Sequence, residues 1–375
     1  MRILHVISNL MSGGAESMLT KVVEALPAPR FEHAVVTFVN GGLFADRLGE
    51  AGVPIFGLGQ QKGQAARALL RLSDVRRIVE EFQPDILQGW MYHGNLAASV
   101  AAGRRPVIWN VRQRLERLSD NAVTTRLAIL GSLGWRARVR AVIYNSEHAA
   151  LEHERWLYPR ARRIIIPNGF DLEAFRPDQT ARATLRGELG LASDAVVVGR
   201  IARDDAIKDT PNLVRAFAAL PFRDVHLVLA GRGMDSRNAL LLAELRSLGI
   251  GDRVHLLGER RDIARLNAGF DLAVLSSSHG EGFPNVVCEA MAAGTPIVST
   301  DAGECRAIIG DPSRIAPIRD PQALGAVMTR VLALTSGERM ALGRADRERV
   351  SRLYSLPAVA ESYAALWHRI AGKQA

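Results

Sequence analysis

The sequence has little cysteine and no long apolar run, and both absences narrow the class of protein. Its 375 residues include only two cysteines, Cys288 and Cys305, too few for the disulfide framework of a small secreted protein. No stretch of about eighteen apolar residues is free of charge, so no transmembrane helix is expected. The first residues also lack the apolar core and cleavage site of a secretory signal. We therefore expect a cytoplasmic protein.

Signals for metal ions, nicotinamide cofactors and nucleic acid are also missing. No His/Cys cluster has metal-ligand spacing and no Asp-x-Asp ends a strand, since Asp204 and Asp205 are adjacent; no metal site is predicted. No G-x-G-x-x-G follows a strand, which argues against a nicotinamide-dependent dehydrogenase. The net charge is +9, and residues 104–140 hold nine arginines against two acids. Because no nucleic-acid motif accompanies this charge, it indicates a phosphate-bearing substrate, an anionic membrane surface or a compositional bias.

What the sequence does contain is a regular alternation of short apolar runs and helical patterns, which predicts two doubly wound α/β domains with parallel sheets. The predicted strands are Arg2–Ile7, His33–Val39, Ile86–Gly89, Val107–Asn110, Ala141–Tyr144, Arg163–Ile166, Val196–Ile201, His226–Ala230, Val254–Leu257, Leu272–Ser276 and Pro296–Ser299. We place the domains at residues 1–170 and 178–356, joined by a linker within residues 167–177. Ligands of such sheets bind beyond the carboxyl ends of the strands.

The segment HGEGFPNVVCEAMAAGTP, residues 279–296, directly follows a predicted strand. Its glycines allow a tight loop, Pro284 can begin a helix, and Gly294 can end it. The free N–H groups at the helix start form an anion site that suits a diphosphate. Glu289 lies in this otherwise apolar helix and needs hydrogen-bond donors. Ribose hydroxyls would supply them; a surface position or an arginine partner are the alternatives.

The Glu-x7-Glu spacing from Glu281 to Glu289 resembles the signature of the retaining glycosyltransferases of family 4, especially those that assemble polysaccharide and lipopolysaccharide. The resemblance implies a GT-B fold, with two Rossmann-like domains facing each other across a cleft. It implies that Glu281 contacts hydroxyls of the donor sugar and that Glu289 contacts the ribose. The implied donor-binding backbone comprises Gly282, Phe283, Pro284, Asn285 and Val286.

Two further motifs match the same family. Arg203 and Lys208 resemble an Arg-x4-Lys pair that neutralises the leaving diphosphate, and fixed cations would stabilise that developing charge. Arg200 is the alternative to Arg203 if the register differs. In Ser12-Gly-Gly-Ala-Glu16, Gly13 and Gly14 resemble a loop that approaches the donor phosphates.

His93 follows another predicted strand, and the resemblance implies a position near the reacting sugar, although a lone histidine is often structural. Asn110, Arg112 and Arg232 are weaker candidates for ligand contacts. After Gly303 the sequence departs from the family pattern with Glu304-Cys305-Arg306, which puts a donor contact in that loop in doubt.

The expected reaction is hexosyl transfer from a nucleoside diphosphate sugar to a hydroxyl acceptor, with retention implied by the family likeness. A UDP-sugar is favoured and GDP-mannose is an alternative; the donor is a substrate, and no cofactor is required. The nucleotide is expected on the C-terminal domain. A glycan or lipid-linked glycan acceptor is expected on the N-terminal domain, onto which the last helix, within residues 357–375, packs back. The resemblance also allows peripheral contact with the inner membrane face. A GT-B sugar-nucleotide epimerase is the alternative function.

Overall fold

The computed structural model describes residues 1–11, 13–60 and 71–372, with only the backbone of residue 60. It contains two compact units. The first comprises Met1–Gly169 together with the residues from Leu356 onward, and the second comprises Phe170–Ser355. The second unit thus begins at Phe170, earlier than the predicted residue 178. Arg347 of this unit explains the difference, because its guanidinium donates to the carbonyls of Leu172 (3.0 Å) and Phe175 (2.7 Å) and fixes this segment.

The first unit is built on a parallel sheet of seven strands in the order β3-β2-β1-β4-β5-β6-β7. Its elements up to the linker are β1 (Arg2–Ile7), α1 (Gly14–Ala25), β2 (Glu32–Val39), α2 (Leu43–Glu50), β3 (Ile55–Gln60), α3 (Leu72–Phe82), β4 (Ile86–Trp90), α4 (Met91–Ala101), β5 (Val107–Val111), α5 (Val123–Leu133), β6 (Val139–Tyr144), α6 (Glu147–Arg155) and β7 (Arg163–Ile165). Strand β3 was not predicted, because Gly57 and Gly59 interrupt its apolar pattern.

The second unit has a parallel sheet of six strands in the order β10-β9-β8-β11-β12-β13. Its elements are α7 (Gln179–Leu189), β8 (Val196–Ile201), α8 (Thr210–Ala218), β9 (Val225–Ala230), α9 (Ala239–Ser247), β10 (Val254–Gly258), α10 (Ile263–Gly269), β11 (Leu272–Leu275), α11 (Asn285–Ala292), β12 (Ile297–Thr300), α12 (Cys305–Ile309), β13 (Ile315–Ala316), α13 (Pro321–Leu332) and α14 (Ser336–Tyr354). The chain then enters α15 (Leu356–Ala371), which belongs to the first unit.

Both sheets reverse their strand order next to their first strand, between β1 and β4 in one unit and between β8 and β11 in the other. Two Rossmann-like α/β domains with parallel sheets confirm the predicted fold class. In such sheets the connections leave in opposite directions at the reversal, so a crevice opens there beyond the carboxyl ends of the strands. Within the described ranges no helix is both long enough and apolar enough to span a membrane.

Helix α15 is held on the first unit by buried polar contacts as well as by apolar packing. The Trp367 indole N–H donates to Gln88 Oε1 (2.7 Å), and the Asn110 amide donates to the hydroxyl of Tyr363 (2.9 Å). Both aromatic rings are fully buried. Because buried indole and phenol groups need hydrogen-bond partners, these contacts fix the position of α15 against β4 and β5.

A chain of hydrogen bonds through two buried histidines crosses the same side of the sheet. The Trp90 indole can only donate, so His5 Nδ1 accepts (3.1 Å) and His5 Nε2 carries the hydrogen. That hydrogen is donated to His33 Nδ1 (3.1 Å), and His33 Nε2 donates to the carbonyl of Leu26 (2.8 Å). Burial lowers the pKa of His5 well below its ordinary value and that of His33 to about 4. Both rings are therefore neutral in the folded protein.

These neutral histidines predict that acid destabilises the first unit. Between the ordinary histidine pKa of 6.5 and about 4, the unfolded chain binds protons that folded His33 does not. The contribution of His33 to the free energy of unfolding is therefore fully present above pH 6.5. It is lost as the pH falls towards 4, and this loss is roughly 3 kcal/mol. All five tryptophans belong to the first unit, so tryptophan fluorescence during urea unfolding measures this loss.

His33→Asn should flatten this pH dependence, although it destabilises the unit at every pH. The exposed His148 provides the control, and His33→Asn should change the dependence more than His148→Gln does. An equal pH dependence in the wild type and in His33→Asn would contradict the assignment.

Candidate active site

An ion pair between Lys208 and Glu281 lies at the strand-order reversal of the second unit. Lys208 follows β8 and Glu281 follows β11. The Lys208 ammonium donates to Glu281 Oε1 at 2.5 Å, and the hydroxyl of Ser277 donates to the same oxygen at 2.6 Å. Glu281 is only 9% exposed. The structure therefore brings together two residues that the sequence analysis selected from separate motifs.

Serines tie the two loops of this ion pair to each other. The Ser276 hydroxyl donates to the carbonyl of Lys208 (2.8 Å), and the backbone N–H of Ser278 donates to the carbonyl of Ile207 (2.8 Å). Sequence reasoning missed Ser276 and Ser277 as site residues. The sequence did contain a signal for them, because three consecutive serines follow the apolar strand β11. Buried hydroxyls at the end of a strand need hydrogen-bond partners.

Of the two arginines considered for the phosphate role, the structure favours Arg203. Its side chain is 55% exposed and its Nε donates to Asp205 Oδ2 (2.9 Å) in the loop after β8. Arg200 is instead buried within β8, and its Nη1 donates to the Thr210 hydroxyl (3.1 Å). Of the two side chains, Arg203 is thus the one exposed to an arriving ligand.

Helix α11 begins next to the ion pair. The loop from Gly282 to Pro284 leads into its first residue, Asn285, and the N–H of Val287 already bonds to the carbonyl of Pro284 (3.1 Å). Phe283 anchors the loop through ring contacts with Phe170 and Tyr354. The N-terminal N–H groups of α11 thus belong to a segment fixed at both sides, which suits the binding of an anion.

Glu289 and Val286 lie on α11 itself, and both are partly buried. Glu289 is the fifth residue of α11, about one helical turn after the start of the helix. Glu281 precedes the helix, so the two acids occupy different positions along this segment.

The loop after β12 packs closely against the backbone of Glu281. A Cβ at Gly303 would lie 2.4 Å from the carbonyl oxygen of Glu281 and 2.8 Å from that of Gly282. The residues that depart from the family pattern, Glu304 to Arg306, come directly after Gly303 in the chain. Cys305 is buried at the start of α12, and Arg306 pairs with Asp301 (2.6 Å) on the surface, so these side chains serve their own loop.

In the first unit, Gly13 and Gly14 start α1 and His93 lies in the first turn of α4; Ser12 lies outside the described residues. The Glu16 carboxylate folds back over Gly13, where a Cβ would meet Glu16 Oε2 at 2.3 Å, and burial raises the pKa of Glu16. Burial lowers the pKa of His93, and its Nε2 is buried with no hydrogen-bond partner in the described part of the chain.

Two weaker candidates, Asn110 and Arg112, bond to other parts of the first unit. Asn110 bonds to Tyr363 of α15, as described above. Arg112 donates to the carbonyls of Ile166 (2.6 Å) and Pro167 (3.3 Å). Arg232 is exposed and contributes its backbone carbonyl to the N–H of Asp204 (2.8 Å). The described residues contain no group of three or more His, Cys, Asp or Glu side chains that could hold a metal ion.

Two family profiles match the chain, one in each unit. The profile of the Glycosyltransferase Family 4 matches residues 12–174, and that of the Glycosyl transferases group 1 matches residues 192–333. The second match includes the Lys208–Glu281 ion pair and α11.

Similar proteins are known by sequence and by structure. EpsF of Bacillus subtilis (strain 168), provisionally assigned as a glycosyltransferase, is 27% identical over 80% of this chain and 79% of its own length. A D-inositol 3-phosphate glycosyltransferase of Xylanimonas cellulosilytica is 34% identical, but over only 45% of this chain and 42% of its own length. The crystal structure of Anabaena HepE in complex with UDP has a TM-score of 0.84 and 22% identity over 98% of this chain and 100% of that one. At this identity the likeness establishes the fold.

The contact at Gly303 predicts a loss of stability on Gly303→Ala. Gly249→Ala is a matched control, because both glycines have a positive φ (58° and 63°) but only Gly303 faces backbone atoms within 4 Å. We expect a loss of about 1 kcal/mol in the free energy of unfolding for Gly249→Ala, and about 3 kcal/mol or more for Gly303→Ala. Urea unfolding followed by circular dichroism measures both, and equal losses would contradict the close contact.

Proposed function

This chain belongs to glycosyltransferase family 4 and has the GT-B fold, and we propose that it transfers a hexosyl residue from a nucleoside diphosphate sugar to a hydroxyl acceptor, with retention of the anomeric configuration. The donor is a UDP-sugar, with GDP-mannose as the alternative, and no cofactor takes part. The partly buried Lys208–Glu281 ion pair carries this proposal, because it places a cation and a carboxylate side by side next to the N-terminus of α11.

Lys208 and Arg203 neutralise the diphosphate as it leaves. Charge develops on the leaving oxygen while the glycosidic bond breaks, and preorganised cations stabilise it without reorganising. The backbone of Gly282 to Val286 adds N–H groups at the start of α11, where the helix dipole favours an anion. Together these groups supply positive charge without a divalent ion.

The two acids bind hydroxyl groups of the donor. Glu281 accepts hydrogen bonds from the sugar, and Ser277 and Lys208 fix the orientation of its carboxylate through Oε1. Glu289 accepts from the ribose. For the first unit, the family likeness implies that Gly13 and Gly14 contact the phosphates and that His93 contacts the sugar; His93 Nε2, which has no partner among the described residues, is available for a hydroxyl. No residue is assigned as a covalent nucleophile.

The solved structures support a uridine nucleotide as donor. HepE was solved with UDP, with UDP and glucose, and with UDP-glucose. The names of the related proteins describe transferases, which supports group transfer over release of a free altered sugar by an epimerase.

A thermal-shift panel with UDP, GDP, ADP, UDP-sugars and NAD tests the donor site. One nucleoside diphosphate at 100 times its dissociation constant should stabilise the wild type by about 2.7 kcal/mol, and Glu289→Ala should lose this response. Glu348→Ala, which removes an exposed helical glutamate of the same unit, should keep it. A response to NAD alone, or to no nucleotide, would refute the donor site. Analysis of the sugar products without acceptor then separates transfer from epimerisation.

The acceptor is a glycan, and a lipid-linked glycan would require contact with the inner membrane face. Helix α5 of the first unit offers a surface for such contact. Val123, Leu127 and Leu130 are 64%, 61% and 48% exposed, and their spacing places them on one stripe of the helix. Exposed arginines precede and follow the helix, at Arg117, Arg136, Arg138 and Arg140. An exposed apolar stripe with basic neighbours suits an anionic lipid surface.

Flotation with vesicles of phosphatidylcholine, with and without phosphatidylglycerol, tests this contact. We expect the protein to bind the anionic vesicles and to be released by high salt. Leu127→Ser should weaken binding roughly tenfold by removing apolar contact. Leu240→Ser is the control, because Leu240 is 86% exposed on α9 of the second unit. Absence of binding at any salt concentration, or equal effects of both substitutions, would refute the membrane surface.

A further inference from the structure

Arg200 is a buried cation directly beneath the loop that carries Arg203 and Lys208. Strands β8 and β11 are paired only as far as Gly199 and Ala273, so Arg200 is the first residue beyond the point where the two strands separate. It is 2% exposed. Its position in the strand places it at the opening of the crevice, although its guanidinium does not reach the solvent.

The contacts of Arg200 form a chain that fixes the loop above it. Arg200 Nη1 donates to the Thr210 hydroxyl (3.1 Å), which in turn donates to Asp204 Oδ1 (3.1 Å). The other carboxylate oxygen of Asp204 accepts from the amide of Asn238 (2.7 Å), the residue that caps α9. This chain links β8, the first residue of α8, the loop after β8 and the start of α9.

The charge of Arg200 is incompletely neutralised by its direct contacts. Its hydrogen-bonded partner is a neutral hydroxyl, and its Nη2 is buried with no partner among the described residues. Burial lowers its pKa to about 10, while the nearby carboxylates of Asp204 and Asp209 oppose the shift. Arg200 is therefore charged at neutral pH, and a buried charge without a direct counterion is costly.

Two other buried arginines of this unit are hydrogen-bonded to carboxylates. Arg186 donates to the carboxylate of Asp271 (2.5 Å), which also pairs with Arg182, and Arg314 donates twice to that of Asp346 (2.6 and 2.8 Å). Arg200 differs from them in lacking such a carboxylate and in lying at the carboxyl end of the sheet.

We infer that Arg200 is a positioning residue for the donor diphosphate, acting through Thr210 and Asp204 to hold the loop of Arg203 and Lys208 and leaving a positive charge that the bound diphosphate offsets. This inference rests on the proposed function, because it requires a nucleoside diphosphate at this end of the sheet. Since opposite charges attract most strongly where water is excluded, the contribution of Arg200 should grow with the number of phosphates on the ligand.

Calorimetric titration with UDP, UMP and uridine tests this, with the guanosine series in their place if the thermal-shift panel selects GDP. Arg200→Met should weaken binding of the diphosphate by about tenfold or more, that of the monophosphate less, and that of the nucleoside not at all. Arg200→Lys should recover part of the diphosphate affinity. Arg186→Met is the matched control: it also removes a buried arginine, but one paired with Asp271, and should affect the three ligands equally.

Thr210→Val is a second variant that removes the link between Arg200 and Asp204 without removing the charge, and it applies if Arg200→Met does not fold. It should weaken diphosphate binding more than nucleoside binding. Equal weakening of all three ligands, or unchanged diphosphate affinity in Arg200→Met or in Thr210→Val, would overturn the role of Arg200 while leaving the donor site intact. A wild type that binds none of the ligands would overturn the donor site, and this inference with it.

Discussion

The ion pair of Lys208 and Glu281 joins the loops after β8 and β11 of the second unit. Charges that are largely removed from water need additional hydrogen bonds to satisfy them, and the hydroxyl of Ser277 supplies one to the carboxylate. The loops after β8 and β11 must therefore stay together, and Ser276 and Ser278 hold them so. The loop after β12 can approach the same peptide only because residue 303 has no Cβ.

The second unit buries arginines near both ends of its sheet. At the amino end of β11, Arg186 is paired with Asp271, and both are almost fully buried. At the carboxyl end of β8, the hydrogen-bonded partner of Arg200 among the described residues is a hydroxyl. A diphosphate bound at the carboxyl end, as we propose, would approach the charge of Arg200 rather than that of Arg186. The electrostatics thus agree with the position of the crevice.

The first unit has the same reversal of strand order as the second, but it buries different polar groups. Neutral groups make the buried polar contacts on the α15 side of its sheet, where Trp90, His5 and His33 are linked in one chain and Gln88 and Asn110 bond to α15. Neutral hydrogen bonds cost less to bury than charges, and they fix the buried face of α15, while Glu361 on its exposed face pairs with Arg30. On its surface, the apolar stripe of α5 and the arginines near it are exposed.

The sequence by itself determined the fold class, because alternating apolar runs specify parallel sheets. It also selected candidates for the donor site, because the Glu281–Glu289 spacing and the Arg203–Lys208 pair are local patterns. Only the tertiary structure decided that Lys208 bonds to Glu281, that Ser277 completes the pair and that Asn110 and Arg112 serve the fold. It also decided that Arg200 is buried and Arg203 is exposed. The reason is physical: burial and hydrogen-bond partners depend on residues distant in sequence, which no local pattern brings together.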